Sequence, residues 1–131
     1  MSPGDDPLFL SVEEVLEIQL QMLETHGGQP GIRDRSSLES AVGMPTQTFG
    51  GEFVHVGLFE MGAAYAFHIA ENQPFVDGNK RTGLAAALTF LRLNGVSIAD
   101  PSGRLYTAMI ALATHQLDKP RLAKLLSELA E

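Results

Sequence analysis

Residues 58–95 read LFEMGAAYAFHIAENQPFVDGNKRTGLAAALTFLRLNG, and their punctuation decides the architecture. From Leu58 to Asn72 small and apolar residues recur at helical spacing, with Phe59, Ala63, Ala66, Phe67 and Ala70 on one side. Pro74 ends that helix, because proline disfavours the α conformation in the residue before it. A second helix starts at about Asn79, turns Leu84, Ala87, Leu88 and Leu91 inward, and stops at Asn94-Gly95. Its alanines let neighbours approach closely, which makes it the expected central helix of a bundle.

The rest of the chain is punctuated in the same way. Ser11 followed by Glu14 matches a capping box, and a helix carrying Val12, Val15, Leu16, Gln19, Met22 and Leu23 runs to about Thr25 before Gly27-Gly28 stop it. Ser36 with Glu39 repeats the cap signal for a short helix ending near Gly43. Between Thr46 and Gly57 the helical pattern fails; β-formers flank Gly50-Gly51, as in a small hairpin or flap. After a loop at 101–103, helices are expected over Arg104–His115 and from Asp118, with Pro120 in the first turn and Leu122, Leu125, Leu126 and Leu129 as the buried stripe. The expected architecture is an all-α six-helix bundle with one β-hairpin flap. Residues 1–131 are expected to form a single domain, with 1–7 as a flexible arm.

Composition narrows the function. The 131 residues carry a formal charge of −7, which argues against nucleic-acid and acidic-membrane partners, whose phosphates would be repelled. An anionic ligand must then be held by a local cluster of positive groups. With no cysteine there is no disulfide and no thiolate metal site, which suits a reducing cytoplasm. The first seven residues lack the pattern of a signal peptide. The longest apolar stretch, Leu84–Leu93, is interrupted by Thr89 and Arg92 and is too short to span a membrane.

The turn Gln73-Pro74-Phe75-Val76-Asp77-Gly78-Asn79-Lys80-Arg81 carries the chemistry. A helix N-terminus offers unpaired amides and the positive end of the macrodipole, so it is suited to an anion. Gly78 permits close approach of a phosphate, Asn79 can donate to it, Arg81 supplies a charged fork and Lys80 a point charge. Asp77 is either the helix cap or an acceptor for the Mg²⁺ that accompanies nucleotide phosphates. Phe75 is expected to pin the loop to the core. The spacing is not that of a Walker A loop. The same residues also make an ordinary turn and cap.

Residues 73–82 resemble the signature of the Doc branch of the Fic/Doc family, His-x-Phe-x-Asp/Asn-Ala/Gly-Asn-Lys-Arg. The likeness extends to Gly27-Gly28-Gln29-Pro30-Gly31-Ile32-Arg33-Asp34, to Leu38-Glu39-Ser40-Ala41, to Leu58-Phe59-Glu60, and to Phe90-Leu91-Arg92-Leu93-Asn94-Gly95. The resemblance implies the Fic/Doc six-helix core and transfer chemistry on ATP with Mg²⁺. Fic members ending in Gly-Asn-Gly-Arg mostly transfer AMP to hydroxyl side chains. Lys80, in place of the second glycine, matches Doc toxins, which transfer the γ-phosphate to a threonine of elongation factor Tu and stop translation. The resemblance further implies a Phd-type antitoxin as partner, a metal near Asp77, phosphates held by Gly78, Asn79, Lys80 and Arg81, and a flap at 46–56 that positions the target.

The departure is Gln73, which stands where the family has its general-base histidine. A glutamine does not titrate near neutrality and cannot take the proton of the target hydroxyl. Three accounts remain open: an inactivating replacement that lets a toxic protein be produced, a natural weak or silent form that still binds nucleotide or a partner, or another group acting as base. His68, five residues earlier, and His55, in the expected flap, are the nearest substitutes by sequence. The ordinary reading of both is a packed or surface histidine. His26 and His115 fall at helix ends, where the dipole explains them. No histidine pair has zinc-ligand spacing, and no Gly-x-Ser-x-Gly elbow or thiol supports a hydrolase. Arg33-Asp34-Arg35 is explained by a cap and a surface ion pair. Beside the transferase there stands a non-catalytic binding module that engages nucleotide or an antitoxin helix.

Overall fold

A computed structural model describes residues 6–131. Six helices follow in order: α1 (Val12–His26), α2 (Arg35–Gly43), α3 (Leu58–Asn72), α4 (Asn79–Leu93), α5 (Arg104–Ala113) and α6 (Lys119–Leu129). A 3₁₀ turn, Met44–Thr46, and a two-stranded antiparallel hairpin lie between α2 and α3. The hairpin strands β1 (Thr48–Phe49) and β2 (Glu52–Phe53) are joined by Gly50 and Gly51 at φ 60° and 82°. Positive φ at both turn residues matches the twist of the paired strands, which is why two glycines stand there. Of the expected flexible arm, residues 1–5 lie outside the described part. Leu8 is tied down, exchanging amide and carbonyl hydrogen bonds with the Asn94 side chain.

The central helix is α3, not α4 as the alanine pattern of α4 suggested. It packs against α2, α4, α5 and α6, and its residues Met61 to Ala66 are all buried in succession. A helix buried on most sides needs small residues to let its neighbours in, and α3 supplies Gly62, Ala63, Ala64 and Ala66. Its tightest partner is α4. A Cβ added at Gly83 would lie 2.8 Å from the Ala66 carbonyl oxygen, and one at Gly62 would lie 3.3 Å from Leu91. The pairs 62 with 91 and 66 with 83 run in opposite senses, so α3 and α4 form an antiparallel helical hairpin around the loop at 73–78. Of the expected inward residues of α4, Ala87 and Leu91 are buried; Leu84 and Leu88 are half-buried and line a groove against α1.

Helix starts follow their caps. Ser11 and Glu14 form the reciprocal capping box expected, and Asp118 accepts from the Arg121 amide. At α2 the cap is Asp34, not Ser36: its carboxylate accepts from the amides of Ser36 and Ser37, which holds its pKa below the ordinary value. An aspartate offers a full negative charge to the helix dipole where serine offers only a hydroxyl. The helix α5 ends two residues before the expected His115, which takes a left-handed conformation at φ 62°.

Candidate active site

The loop between α3 and α4 is held by hydrogen bonds from both backbone and side chains. Gln73 closes α3 in the left-handed region, at φ 47° and ψ 56°. Arg33 reaches across to cap this end, its Nε 2.6 Å from the Gln73 carbonyl oxygen and Nη2 2.8 Å from that of Asn72. A cation at a helix C-terminus answers both the orphan carbonyls and the negative dipole end. The Pro74 carbonyl accepts from the amides of Arg33 (2.7 Å) and Asp34 (3.1 Å), and the Val76 amide donates to Gly31 (3.1 Å). Residues 31–34 therefore act as a strut alongside the loop.

Asn79 locks the turn from within. Its Oδ1 accepts from the Phe75 amide and its Nδ2 donates to the Phe75 carbonyl, both at 3.0 Å. The Phe75 ring is buried in the core, so the loop is anchored below and bridged above. Sequence alone assigned Asn79 to phosphate. The structure gives it two loop-internal bonds, with one N–H of its amide left over. Asp77 is exposed, and its Oδ2 accepts from the Gln29 amide at 2.9 Å. It is not the helix cap: Gly78 holds that position, at φ 76°. A Cβ at Gly78 would meet nothing closer than 3.7 Å, so the backbone conformation requires the glycine there rather than any crowding.

What the loop leaves open is the start of α4. The helices α1, α2, α5 and α6 each have a side-chain oxygen on their first-turn amides, from Ser11, Asp34, Asp100 and Asp118. At α4 no side chain caps the helix, as at α3. The amides of Asn79, Lys80 and Arg81 are thus first-turn donors without a side-chain acceptor, and they sit behind a glycine. Lys80 is exposed beside them, with no ion-pair partner among the described residues. This donor set fits the phosphates of ATP. The free oxygen of Asp77 fits Mg²⁺, which takes one or two carboxylates and completes its shell with phosphates and water. Among the described residues no three His, Cys, Asp or Glu are grouped to hold a metal by themselves.

Arg81 points to the groove between α1, α4 and α5. Its Nη1 lies 2.9 Å from His26 Nδ1, its Nη2 3.5 Å from the Tyr106 hydroxyl, and its guanidinium carbon 4.8 Å from the centre of the Tyr106 ring. Neither His26 nor Tyr106 was singled out with Arg81 by sequence, since 55 and 25 residues separate them from it.

The two candidate substitute bases are elsewhere. His55 lies outside the hairpin strands and is buried, not a surface group of the flap. Its Nε2 and that of His68 both face the Lys119 ammonium, at 3.2 and 3.0 Å. An ammonium only donates, so both imidazoles meet it with a lone pair and are neutral. Burial first, and the Lys119 charge second, lower the pKa of both; His68 is pushed down to about 4. Burial also lowers the pKa of Lys119. Among the described residues no hydrogen bond joins this cluster to Gln73, and the Lys119 contact already uses the lone pair a base would need.

The cluster predicts a pH response. Between about pH 4 and 6.5 an unfolded His68 binds more protons than the folded one, so stability rises with pH across that window and is complete above it. Because the ring is partly open to solvent, acidification through the window removes only on the order of 1–2 kcal/mol. Replacing Lys119 with methionine removes the second cause and leaves the first. The His68 pKa then rises but stays below the ordinary 6.5. Ring-proton NMR titration measures this, and an unmoved His68 would show that Lys119 does not act on it.

The comparisons with known proteins show the family. The model of the Fic/DOC family matches residues 9–91. The chain belongs to the Fic/DOC family. It is 33% identical over 120 residues to the protein kinase doc of Escherichia phage P1, covering 92% of this chain and 94% of that protein. It is 44% identical over 73 residues to the toxin Doc of Mycolicibacterium smegmatis, covering 56% of each chain. The matched region of the family holds the strut at 31–34, the loop and almost all of α4. The six helices and the small hairpin agree with the all-α Fic/DOC fold. Among the described residues no helix is long and apolar enough to cross a membrane.

Proposed function

We propose that this Fic/DOC chain is a Doc-type toxin that transfers the γ-phosphate of ATP to a serine or threonine hydroxyl of a translation factor, with elongation factor Tu as the first candidate. The observation that carries this reading is the α4 start: an uncapped helix behind Gly78, flanked by Lys80 and Arg81, in a loop that Asn79, Arg33 and Phe75 hold rigid. Amides fixed before the ligand arrives cost no reorganisation as charge develops on the phosphate oxygens. Lys80 supports phosphate over AMP transfer, because it puts a cation where the AMP-transferring members carry glycine. Asp77 would hold Mg²⁺, which neutralises phosphate charge when bound.

The weak point of this machinery is the acceptor side. Gln73 is exposed beside the loop and can orient a hydroxyl by hydrogen bonding, but it cannot remove its proton. Phosphoryl transfer passes through a loose transition state, so positioning and electrostatics carry most of the rate and a residual reaction survives. Gln73 also favours a second reading, a binding module that holds nucleotide or partner without chemistry. As partner the first reading takes a Phd-type antitoxin. The groove between α1 and α4, apolar at Ile18, Met22, Leu84 and Leu88 and cationic at Arg81 and Arg92, suits an amphipathic acidic helix. The site of action would be the cytoplasm.

Intact-mass analysis of elongation factor Tu after incubation with Mg-ATP tests both readings, run with this chain and with Gln73→His. An added phosphate is the expected result. An added AMP would overturn the role given to Lys80. No change with either form, in proteins that bind ATP, would leave the binding module.

A further inference from the structure

The mechanism above uses Arg81 as a phosphate ligand, and the structure holds that side chain from two other helices. His26 is the last residue of α1, immediately before the Gly27-Gly28-Gln29 segment whose Gln29 amide binds Asp77. Tyr106 is in the first turn of α5. Together they grip one guanidinium: a nitrogen of His26 at 2.9 Å on one terminal group, and the Tyr106 hydroxyl at 3.5 Å on the other, with the tyrosine ring 4.8 Å from its carbon. An arginine always carries its charge and only donates, so His26 must offer the lone pair of Nδ1 and carry its proton on Nε2.

Arg81 is only part-buried, and no carboxylate pairs with it among the described residues. That arrangement is unusual for a structural arginine. A carboxylate partner would neutralise the charge, whereas a neutral imidazole and an aromatic face restrain the side chain and leave the charge intact. The remaining N–H groups stay free for an anion. We infer that His26 and Tyr106 are positioning residues for Arg81: they hold the guanidinium in place for phosphate without quenching its charge. This inference rests on the Proposed function for the part Arg81 plays. It adds two residues outside the signature loop, neither of which touches the nucleotide in this account.

The gain is one of preorganisation, because the side chain is ordered before the ligand binds. Loss of one grip is therefore expected to weaken Mg-ATP binding by about five- to tenfold, within the range of a typical net hydrogen bond. Isothermal titration of Mg-ATP into the full chain tests this, with His26→Ala, His26→Asn, Tyr106→Leu and Arg81→Ala, and with His26→Ala in the Arg81→Ala background. Asparagine puts its Oδ1 close to where Nδ1 was, so His26→Asn should restore most of the affinity. In the Arg81→Ala background, His26→Ala should cost nothing more, because the residue through which it acts is gone.

A structural role alone would not give that pattern of rescue and masking. Unchanged binding in His26→Ala and Tyr106→Leu, with Arg81→Ala weakened, would overturn the inference and leave the Proposed function standing. An equal loss from His26→Ala with and without Arg81 would overturn it too. Unchanged binding in Arg81→Ala would remove Arg81 from the phosphate site, and this inference with it. Thermal melts of each variant separate a binding loss from unfolding.

Discussion

Replacing Gln73 with histidine raises the rate of transfer to the target hydroxyl by about 10²- to 10⁴-fold, the usual contribution of a positioned general base. The structure gives two reasons to expect the imidazole to work once installed. Gln73 already sits in the left-handed region, and histidine is among the residues that tolerate that conformation best. The backbone around it is held by Arg33 and by the Ile69 carbonyl, through main-chain atoms that any residue at 73 presents equally. The substitution therefore changes the side chain and not the loop. The new activity should fall on the acid side as the imidazole protonates, near its ordinary pKa of about 6.5. Single-turnover transfer from Mg-ATP across pH measures both features. A Gln73→His protein that binds ATP and still transfers no faster than the unchanged chain would remove position 73 from the chemistry.

The second large effect is on stability. Gly83→Ala should destabilise the fold by about 1–3 kcal/mol through overpacking, despite the roughly 1 kcal/mol that alanine gains over glycine in a helix. The added methyl group would lie 2.8 Å from the backbone oxygen of Ala66, and a backbone atom of a central helix cannot swing aside as a side-chain tip can. Either α3 and α4 separate, or the loop between them shifts; both disturb the turn at 73–78. A melting temperature lower by about 5–15 °C is expected for a domain of this size. Gly43→Ala is the control. Gly43 is also helical, but an added Cβ there meets nothing within 4 Å, so the substitution should be neutral or stabilising. A Gly83→Ala protein as stable as the unchanged chain would mean that the hairpin has slack that this geometry does not suggest.

These predictions show how unevenly the molecule was legible. The helix boundaries were readable because caps and stops are local. Ser11 with Glu14, Asp118 before Pro120, and Asn94-Gly95 each act on backbone groups within a few residues, and the Gly50-Gly51 turn needs only its own two φ angles. The signature loop could be read as a candidate anion site because a helix N-terminus, a glycine and two cations lie together in nine residues, and the structure adds that no side chain caps that helix start. The cap of α2 was misread because Asp34 and Ser36 offer competing oxygens two residues apart, and only geometry chooses between them. The hub was misread because the alanine content of α4 says that it is closely approached and does not say from how many sides.

The long-range partners had no local signature. Arg33 reaches Gln73 across 40 residues, Lys119 joins His55 and His68 across 64 and 51, and Arg81 meets His26 across 55. By itself the sequence determined that this chain makes six helices and a hairpin, that it resembles the Fic/DOC family, and that a glutamine opens the loop between α3 and α4. The tertiary structure decided which groups are spoken for: Asn79 by Phe75, Asp77 in part by Gln29, Arg81 in part by His26 and Tyr106, and both candidate histidines by Lys119. The physical reason is range. Periodicity and capping act within one turn or two of a helix, whereas a hydrogen-bond partner is fixed only when the packing of whole helices brings distant residues within about 3 Å.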